Sequence, residues 1–205
     1  VIWADELMSI FLPDIIKNGE DILFDVKCSQ ALEDMINHYG GNPIMWKTGH
    51  SLIKQKMTEV GCKFGGEMSG HIFFADDYYG YDDAIYVAAR LLELLSKTNK
   101  SLSELRSIIP VYHSTPEMRL EAKDDEEKFK ITKKAIEYFT KNYDCITVDG
   151  VRILFGDGWG LVRSSNTQPI IVCRFEANSI DRRDEIMNLV LNKLKEFGDL
   201  KLGGH

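Results

Sequence analysis

The residue types with the clearest chemical potential lie in one short segment, Gly-Glu-Met-Ser-Gly-His, at residues 66–71. Glu67, Ser69 and His71 place a carboxylate, a hydroxyl and an imidazole within one turn that glycines bracket. Glycine tolerates the tight backbone of such a turn, so the three groups can converge on one small polar ligand. A sugar ring suits this set. The carboxylate can accept hydrogen bonds from adjacent ring hydroxyls, the serine hydroxyl can donate and accept, and the imidazole can move a proton near neutral pH. The alternative is a polar turn with no ligand.

A second polar turn, Arg-Ser-Ser-Asn-Thr-Gln-Pro at residues 163–169, lies about ninety residues further along, between two β-rich runs. Its arginine can form a bidentate pair with a phosphate, and its main-chain N–H groups can form an anion nest. The candidate phosphate-binding residues are Arg163, Ser164, Ser165, Asn166 and Thr167. The alternative is a hairpin whose Ser and Asn side chains bind their own backbone while the arginine is solvated.

Two further candidates follow predicted strands. Lys27 ends the apolar run at residues 22–27, and open α/β sheets bind ligands at the carboxyl ends of their strands. The alternative for Lys27 is a strand-end lysine whose tip reaches solvent. His50 lies between a short predicted strand and a helix that begins near Leu52. The alternative for this segment is a helix-capping turn with Thr48 or Ser51 as the cap.

The elements that must position these residues alternate between helix and strand over residues 1–109. An apolar helix at 84–95 is hydrophobic on nearly all sides, so we expect it to be buried. The alternation predicts an α/β domain with a mixed, largely parallel sheet and flanking helices. The other predicted elements are helices at 3–17, 31–38, 52–60 and 102–108, and strands at 22–27, 43–46 and before the turn at 66–71.

The second half has a different pattern. Prolines and short polar residues at 110–116 predict a linker, followed by a helix at 125–142 and a helix at 181–197. Asp149 and Gly150 predict a two-residue hairpin turn. Helices that flank an antiparallel meander predict an α+β domain at 117–198. The predicted strands are 145–148, 151–155, 158–163 and 170–176.

Composition excludes several classes of function. The formal net charge of −7 over 205 residues argues against nonspecific nucleic-acid binding. We find no apolar run of the length needed to span a bilayer and no signal-peptide pattern. Four scattered cysteines have no metal-ligand spacing. We therefore expect a cytoplasmic protein with neither a nucleic-acid nor a membrane partner.

Together these segments resemble the α-D-phosphohexomutase family, of the phosphomannomutase/phosphoglucomutase type. Residues 66–71 resemble its sugar-binding loop, and residues 163–169 resemble its phosphate-binding loop, Arg-x-Ser-Asn-Thr-x-Pro. Phe-Asp-Val-Lys-Cys at 24–28 and Lys-Thr-Gly-His-Ser at 47–51 also resemble family segments. The resemblance covers essentially the whole chain. It implies that residues 1–109 are the family's third domain, that 110–116 is a hinge, and that 117–198 is a fourth domain with a TATA-binding-protein-like fold.

The resemblance also implies roles for individual residues. Arg163 and its neighbours at 164–167 would hold the non-reacting phosphate, and His71 is the candidate for proton transfer or orientation. The methionine form of the sugar loop goes with mannose and glucose phosphates. The implied substrate-binding residues are Lys27, His50, Glu67, Met68, Ser69, Gly70 and His71.

In this family, hexose 6-phosphate and hexose 1-phosphate are interconverted through a phosphoserine enzyme and a bisphosphorylated sugar, which also acts as activator. The phosphoserine loop and the Mg²⁺ loop belong to the first and second domains, and this sequence contains neither motif. We therefore expect a C-terminal half whose partners are a phosphorylated hexose and N-terminal domains 1 and 2, inactive alone and without metal ligands. The alternatives are a stand-alone, non-catalytic phosphosugar-binding module and a protein-interaction fragment.

Overall fold

The computed structural model describes residues 1–203. The chain forms two compact units, the first from Val1 to Val111 and the second beginning at Tyr112. Each unit has its own sheet and its own hydrophobic core. In the described part of the chain, none of the helices combines the length and the apolar character that crossing a membrane requires.

The first unit is a mixed sheet with flanking helices. Strand β1 lies between β2 and β3 and is parallel to both, while β4 pairs antiparallel with β3. The predicted mixed, largely parallel sheet is therefore confirmed. The strands are Asp21–Asp25 (β1), Asn42–Trp46 (β2), Phe64–Gly66 (β3) and Ile72–Phe74 (β4), and the helices are Ala4–Ile15 (α1), Gln30–His38 (α2), His50–Val60 (α3), Ala84–Ser96 (α4) and Leu102–Arg106 (α5).

Helices cover both faces of this sheet because successive strand residues point to opposite sides. Leu23 and Phe73 pack with Ile53 of α3 on one face. On the other face, the ring of Phe11 from α1 meets the ring of Phe74 edge-on at a centroid distance of 5.1 Å. Burial on both faces explains why β1 reads as a continuous apolar run.

The apolar helix α4 differs from the prediction. None of its residues is buried, and Ile85 and Leu92 are 84% and 69% exposed. The helix packs mainly against β4 and α1, where the Tyr86 ring meets the Phe74 ring edge-on and the Arg90 guanidinium lies over Phe74. The prediction of a buried helix was wrong. The composition of α4 shows that its faces are apolar, but burial also requires that residues of the described chain pack against those faces.

The second unit is an antiparallel sheet with two helices on one face. Ile131 and Phe139 of α6 and Val190 of α7 share a core with the inward-facing strand residues. This arrangement confirms the predicted α+β class. The strands are His113–Ser114 (β5), Met118–Glu121 (β6), Asp144–Ile146 (β7), Val151–Leu154 (β8), Gly158–Ser164 (β9), Ile170–Ala177 (β10) and Lys201–Leu202 (β11), in the order β11-β6-β10-β9-β8-β7 with β5 beside β10, and the helices are Asp125–Asn142 (α6) and Ile180–Phe197 (α7).

Part of the predicted linker lies within this sheet. His113 and Ser114 pair with β10, and the Phe175 N–H donates to the Thr115 hydroxyl at 3.1 Å. Residues 113–115 are therefore held by the second unit. A two-residue strand is too short to show an alternating pattern, which is also why β11 was missed.

The Asp149-Gly150 turn is wider than the predicted two-residue hairpin. The last pair of β7 and β8 joins Ile146 to Arg152, so residues 147–151 separate the paired positions. Gly150 has φ +73° and lies so close to β9 that an added Cβ would be 2.3 Å from the Val162 carbonyl oxygen. Packing against β9, rather than a tight turn, sets the conformation of this loop.

We predict that Gly150→Ala destabilises the second unit far more than Gly156→Ala. Gly156 also has positive φ, but an added Cβ meets nothing within 4 Å, so only the left-handed backbone cost of about 1 kcal/mol applies. The Gly150 variant adds a backbone clash and should lose about 3 kcal/mol in total. Urea denaturation followed by Trp fluorescence measures both, and equal losses would show that Gly150 is not tightly packed.

Candidate functional site

The candidate sugar site lies beyond the carboxyl ends of the three parallel strands of the first unit. Lys27 follows β1, His50 follows β2, and Glu67 follows β3. Parallel strands end at the same edge of a sheet, so the three connecting loops are neighbours there. We name them the first loop (residues 26–29), the second loop (47–49) and the third loop (67–71).

Glu67 is buried at the base of the third loop, with 2% of its surface exposed. Its Oε1 accepts the Gly49 N–H of the second loop at 2.6 Å. Its own N–H donates to the His71 carbonyl at 2.8 Å, which closes the loop. Burial raises the pKa of Glu67, and the nearby Asp25 charge adds to the rise, while the Gly49 hydrogen bond opposes it. The carboxyl group is thus held in place by the protein and costly to ionise.

Two histidines, one at the start of α3 and one in the third loop, lie side by side. The ring centroids of His50 and His71 are 5.7 Å apart, and His71 Nδ1 lies 2.6 Å from Asp82 Oδ2. Asp82 is held beside β4 by a bridge to Phe73. If Nδ1 carries the proton that Asp82 accepts, Nε2 is left as a base.

The His50 segment is a helix-capping turn, but its cap is not a residue that the alternative named, and Lys27 is not a lysine whose tip reaches solvent. His50 begins α3, whose N-cap is Gly49 rather than Thr48 or Ser51, and the Thr48 hydroxyl donates instead to Asp25 at 3.0 Å. Lys27 is 6% exposed, with its Nζ 3.9 Å from Asp25 Oδ2, so its tip does not reach freely into solvent.

The rest of the third loop is progressively more open. Met68 is half-buried and its N–H donates to Asp25 Oδ1 at 3.1 Å, whereas Ser69 and Gly70 are exposed at the tip. The structure therefore brings Lys27, His50, Glu67 and His71 together at one edge, with Ser69 and Gly70 free to meet a ligand.

Sequence reasoning missed Asp25 and Asp82. Asp25 is fully buried in an apolar strand, and an acidic residue in such a run is a signal that could have been used. Asp82 gave no comparable signal, because it lies eleven residues from His71 in a polar segment.

Arg163 is the centre of the candidate phosphate site in the second unit. It is 5% exposed, and its Nε donates to Asp149 Oδ2 at 2.9 Å. No other described residue engages its two terminal nitrogens. The solvated-arginine alternative is therefore wrong, and one edge of the guanidinium is left for an acceptor such as phosphate.

The loop after β9 is partly self-capped. The Ser165 hydroxyl accepts the Thr167 N–H at 3.3 Å, as the hairpin alternative predicted, and Asn166 and Thr167 are exposed. Ser164 is directed elsewhere, because its hydroxyl lies 2.8 Å from Thr132 Oγ1 on α6. Neighbouring strand residues face opposite sides of a sheet, so the Ser164 side chain does not join that of Arg163.

A buried lysine that sequence reasoning missed anchors this loop. Lys128 of α6 is 2% exposed, and its Nζ donates to the Ser165 and Gln168 carbonyls, each at 3.0 Å. It also pairs with Asp125 at 2.7 Å. Its position inside an amphipathic helix, distant in sequence from the loop, hid this role.

Among residues 1–203, no group of three or more His, Cys, Asp or Glu side chains is arranged to hold a metal ion. The residues present therefore do not fit a Mg²⁺ site.

Comparison with known families gives matches in both units. Residues 3–112 match the phosphoglucomutase/phosphomannomutase alpha/beta/alpha domain III, and residues 117–193 match the C-terminal domain of the same family.

Individual relatives agree with these matches. A phosphomannomutase/phosphoglucomutase from Pseudomonas aeruginosa is 45% identical over 95% of this chain and 42% of its own length. A phosphoglucomutase from Neisseria gonorrhoeae is 39% identical over 92% of this chain and 42% of its own length. A crystal structure of a phosphoglucomutase/phosphomannomutase family protein from Burkholderia thailandensis has a TM-score of 0.85 and 38% identity, covering 97% of this chain and 43% of its own. The chain thus spans less than half the length of these relatives.

We predict that Glu67→Gln stabilises the first unit at neutral pH. Because the folded-state pKa of Glu67 is raised, the folded chain binds its proton more readily, and stability falls as pH rises from the unfolded pKa through the raised folded value. Glutamine keeps an acceptor for the Gly49 N–H and removes the buried charge. The free energy of unfolding at pH 7 should rise by about 1 kcal/mol, and the gain should vanish below the unfolded pKa.

Denaturation curves at pH 4 and pH 7 measure this effect. The exposed Glu59→Gln on α3 is the matched control and should show no such gain. A Glu67→Gln variant less stable than the parent at pH 7 would show that the ionised carboxylate contributes net stability.

Proposed function

The chain belongs to the phosphoglucomutase/phosphomannomutase family, and we propose that it supplies the sugar- and phosphate-binding half of an enzyme that interconverts hexose 6-phosphate and hexose 1-phosphate. The observation that carries this proposal is the meeting of Lys27, His50, Glu67 and His71 at one edge of the first sheet. The names of the relatives support the reaction class, isomerisation of a phosphorylated hexose. Mannose and glucose phosphates are the proposed substrates.

In this proposal Glu67 accepts hydrogen bonds from sugar hydroxyls. One of its oxygens is held by the Gly49 N–H, so the carboxyl group is oriented before a ligand arrives. Preorganised acceptors bind without a reorganisation cost. Ser69 and Gly70 at the exposed loop tip, with Met68 beside them, would contact the same ring, and Lys27 and His50 would contact its oxygens.

His71 is the proposed proton-transfer residue. Asp82 accepts from Nδ1 and so orients the ring, which leaves Nε2 to take the proton from the hydroxyl that receives the phosphoryl group. In the returning step the protonated Nε2 gives that proton to the sugar oxygen from which the phosphoryl group is taken back. Without Asp82, the imidazole would lose both its orientation and its preferred tautomer.

The second unit is proposed to bind the phosphate that does not react. The terminal nitrogens of Arg163, the exposed side chains of Asn166 and Thr167, and the Ser165 region would supply the donors. Lys128 adds a positive charge beneath the loop. Energy from binding a remote phosphate helps to position the reacting end of a substrate.

The remaining components of the reaction are proposed to lie outside this chain. The phosphoserine and the Mg²⁺ ligands would come from N-terminal domains 1 and 2 of the whole protein, and a bisphosphorylated hexose would be both intermediate and activator. A cytoplasmic setting agrees with four free cysteines, three of them buried, because disulfides are rare in reducing compartments.

We predict no mutase activity for the 205-residue chain. Phosphoryl transfer depends on in-line positioning and charge neutralisation at the transferring group, and the motifs that supply these are not in this sequence. A coupled mutase assay with glucose 1-phosphate and a bisphosphorylated activator tests this. Turnover above a blank, retained through repeated purification, would contradict it.

We predict that glucose 1-phosphate shifts the NMR resonances of His71 in the first unit and of Arg163 in the second, while unphosphorylated glucose leaves Arg163 unchanged.

Arg163→Ala should weaken phosphosugar binding by at least about tenfold, the size expected for a lost charge-assisted hydrogen bond. Arg183→Ala, which removes the same charge from α7, is the matched control and should bind as the parent does. Equal affinities of the two variants would contradict the assignment of Arg163.

A further inference from the structure

We propose that Asp25 is the positioning residue of the sugar site, fixing the first, second and third loops relative to one another. The inference rests on the proposed function for its ligand, but the contacts that carry it belong to the protein alone. Asp25 is fully buried, so it acts through the residues it holds rather than by touching sugar.

The position of Asp25 in the sheet gives it access to all three loops. It is the last residue of β1, which lies between β2 and β3. Asp25 is paired in register with Trp46 at the end of β2, and Phe24 is paired with Gly66 at the end of β3. A side chain at this point has the loops of both neighbouring strands within reach.

Each carboxylate oxygen holds a different pair of groups. Oδ1 accepts the Met68 N–H of the third loop at 3.1 Å and the Cys28 thiol of the first loop at 3.2 Å. Oδ2 accepts the Thr48 hydroxyl of the second loop at 3.0 Å and lies 3.9 Å from Lys27 Nζ. One side chain therefore joins three segments that are separate in sequence.

The chemistry of these contacts requires an ionised carboxylate. All four groups are donors or cations, and only a carboxylate accepts at both ends. Charge-assisted hydrogen bonds in a buried site are strong and costly to break, so no one loop can shift without leaving a buried group unsatisfied. The spacing of Lys27, His50 and Glu67 is thereby set before a ligand binds.

Asp25 also acts on Glu67 through its charge. The Asp25 carboxylate contributes to the raised pKa of Glu67, whereas Lys27 and His71 oppose it. Removing the Asp25 charge should therefore lower the pKa of Glu67. That shift reports the loss of the Asp25 charge beside Glu67, while the exchange of the Met68 amide reports whether the third loop is still held.

The test compares Asp25→Asn with Thr48→Val and with Asp21→Asn. Asparagine keeps the shape of the side chain but accepts at one end only, and Thr48→Val removes the hydroxyl that links Asp25 to the second loop. Asp21→Asn makes the same change at the opposite end of β1, where the carboxylate contacts Asn42 at the surface. Each variant is examined by NMR titration with glucose 1-phosphate, by amide hydrogen exchange at Met68, by the Glu67 titration and by thermal denaturation.

We expect Asp25→Asn to bind glucose 1-phosphate about tenfold more weakly than the parent, as for one lost charge-assisted hydrogen bond. Thr48→Val should lose about threefold, since a neutral hydroxyl is the donor. Exchange of the Met68 amide should accelerate in Asp25→Asn, and Asp21→Asn should match the parent throughout.

The proposal is overturned if Asp25→Asn matches the parent in affinity for glucose 1-phosphate, in exchange of the Met68 amide and in the titration of Glu67. If the parent chain itself shows no shifts with glucose 1-phosphate, the proposed function fails, and exchange of the Met68 amide still decides the role of Asp25. If Asp25→Asn does not fold, Thr48→Val decides: affinity and Met68 exchange identical to the parent would refute the coupling of the loops.

Discussion

A charged group removed from water must find its hydrogen-bond partners within the protein, and this requirement organises both candidate sites. Asp25 meets it with donors from three loops, and Lys128 meets it with two carbonyl groups of the loop after β9. In each case the partners are main-chain or short polar groups of a candidate ligand-binding loop. The burial of one ion thus orders a segment that has little apolar surface of its own to bury.

The two units reach this result from opposite sheet geometries. In the first, parallel strands end together, so a single side chain at the end of the central strand can hold loops on both sides. In the second, the loop between β9 and β10 takes its buried anchor, Lys128, from the helix that covers the sheet. Arg163 and Ser164 also show the effect of strand alternation, since these adjacent residues bind Asp149 of the loop after β7 and Thr132 of α6 respectively.

The sequence predicted most of the elements and the positions of the two polar turns, because both depend on local pattern. Residues 66–71 and 163–169 carry glycines, a proline and short polar side chains, whose turn preferences are local. It failed where the outcome depends on distant partners. The exposed face of α4, the five-residue separation at Asp149 and the strand at 113–114 are all decided by what lies opposite them. Asp25, Asp82 and Lys128 were missed for the same reason, because their roles are defined by contacts across the fold.

The third loop has a tightly packed, buried base and an exposed tip, and this difference limits where its sequence can change. At the base, a Cβ on Gly66 would lie 2.7 Å from the His71 carbonyl oxygen and 2.8 Å from Met8 Sδ, and Glu67 is buried beside it. At the tip, Met68 is half-buried and Ser69 is exposed. Substitutions at positions 68 and 69 therefore alter the exposed tip and leave the buried frame in place, whereas a side chain added at position 66 or a change of Glu67 disturbs the frame itself.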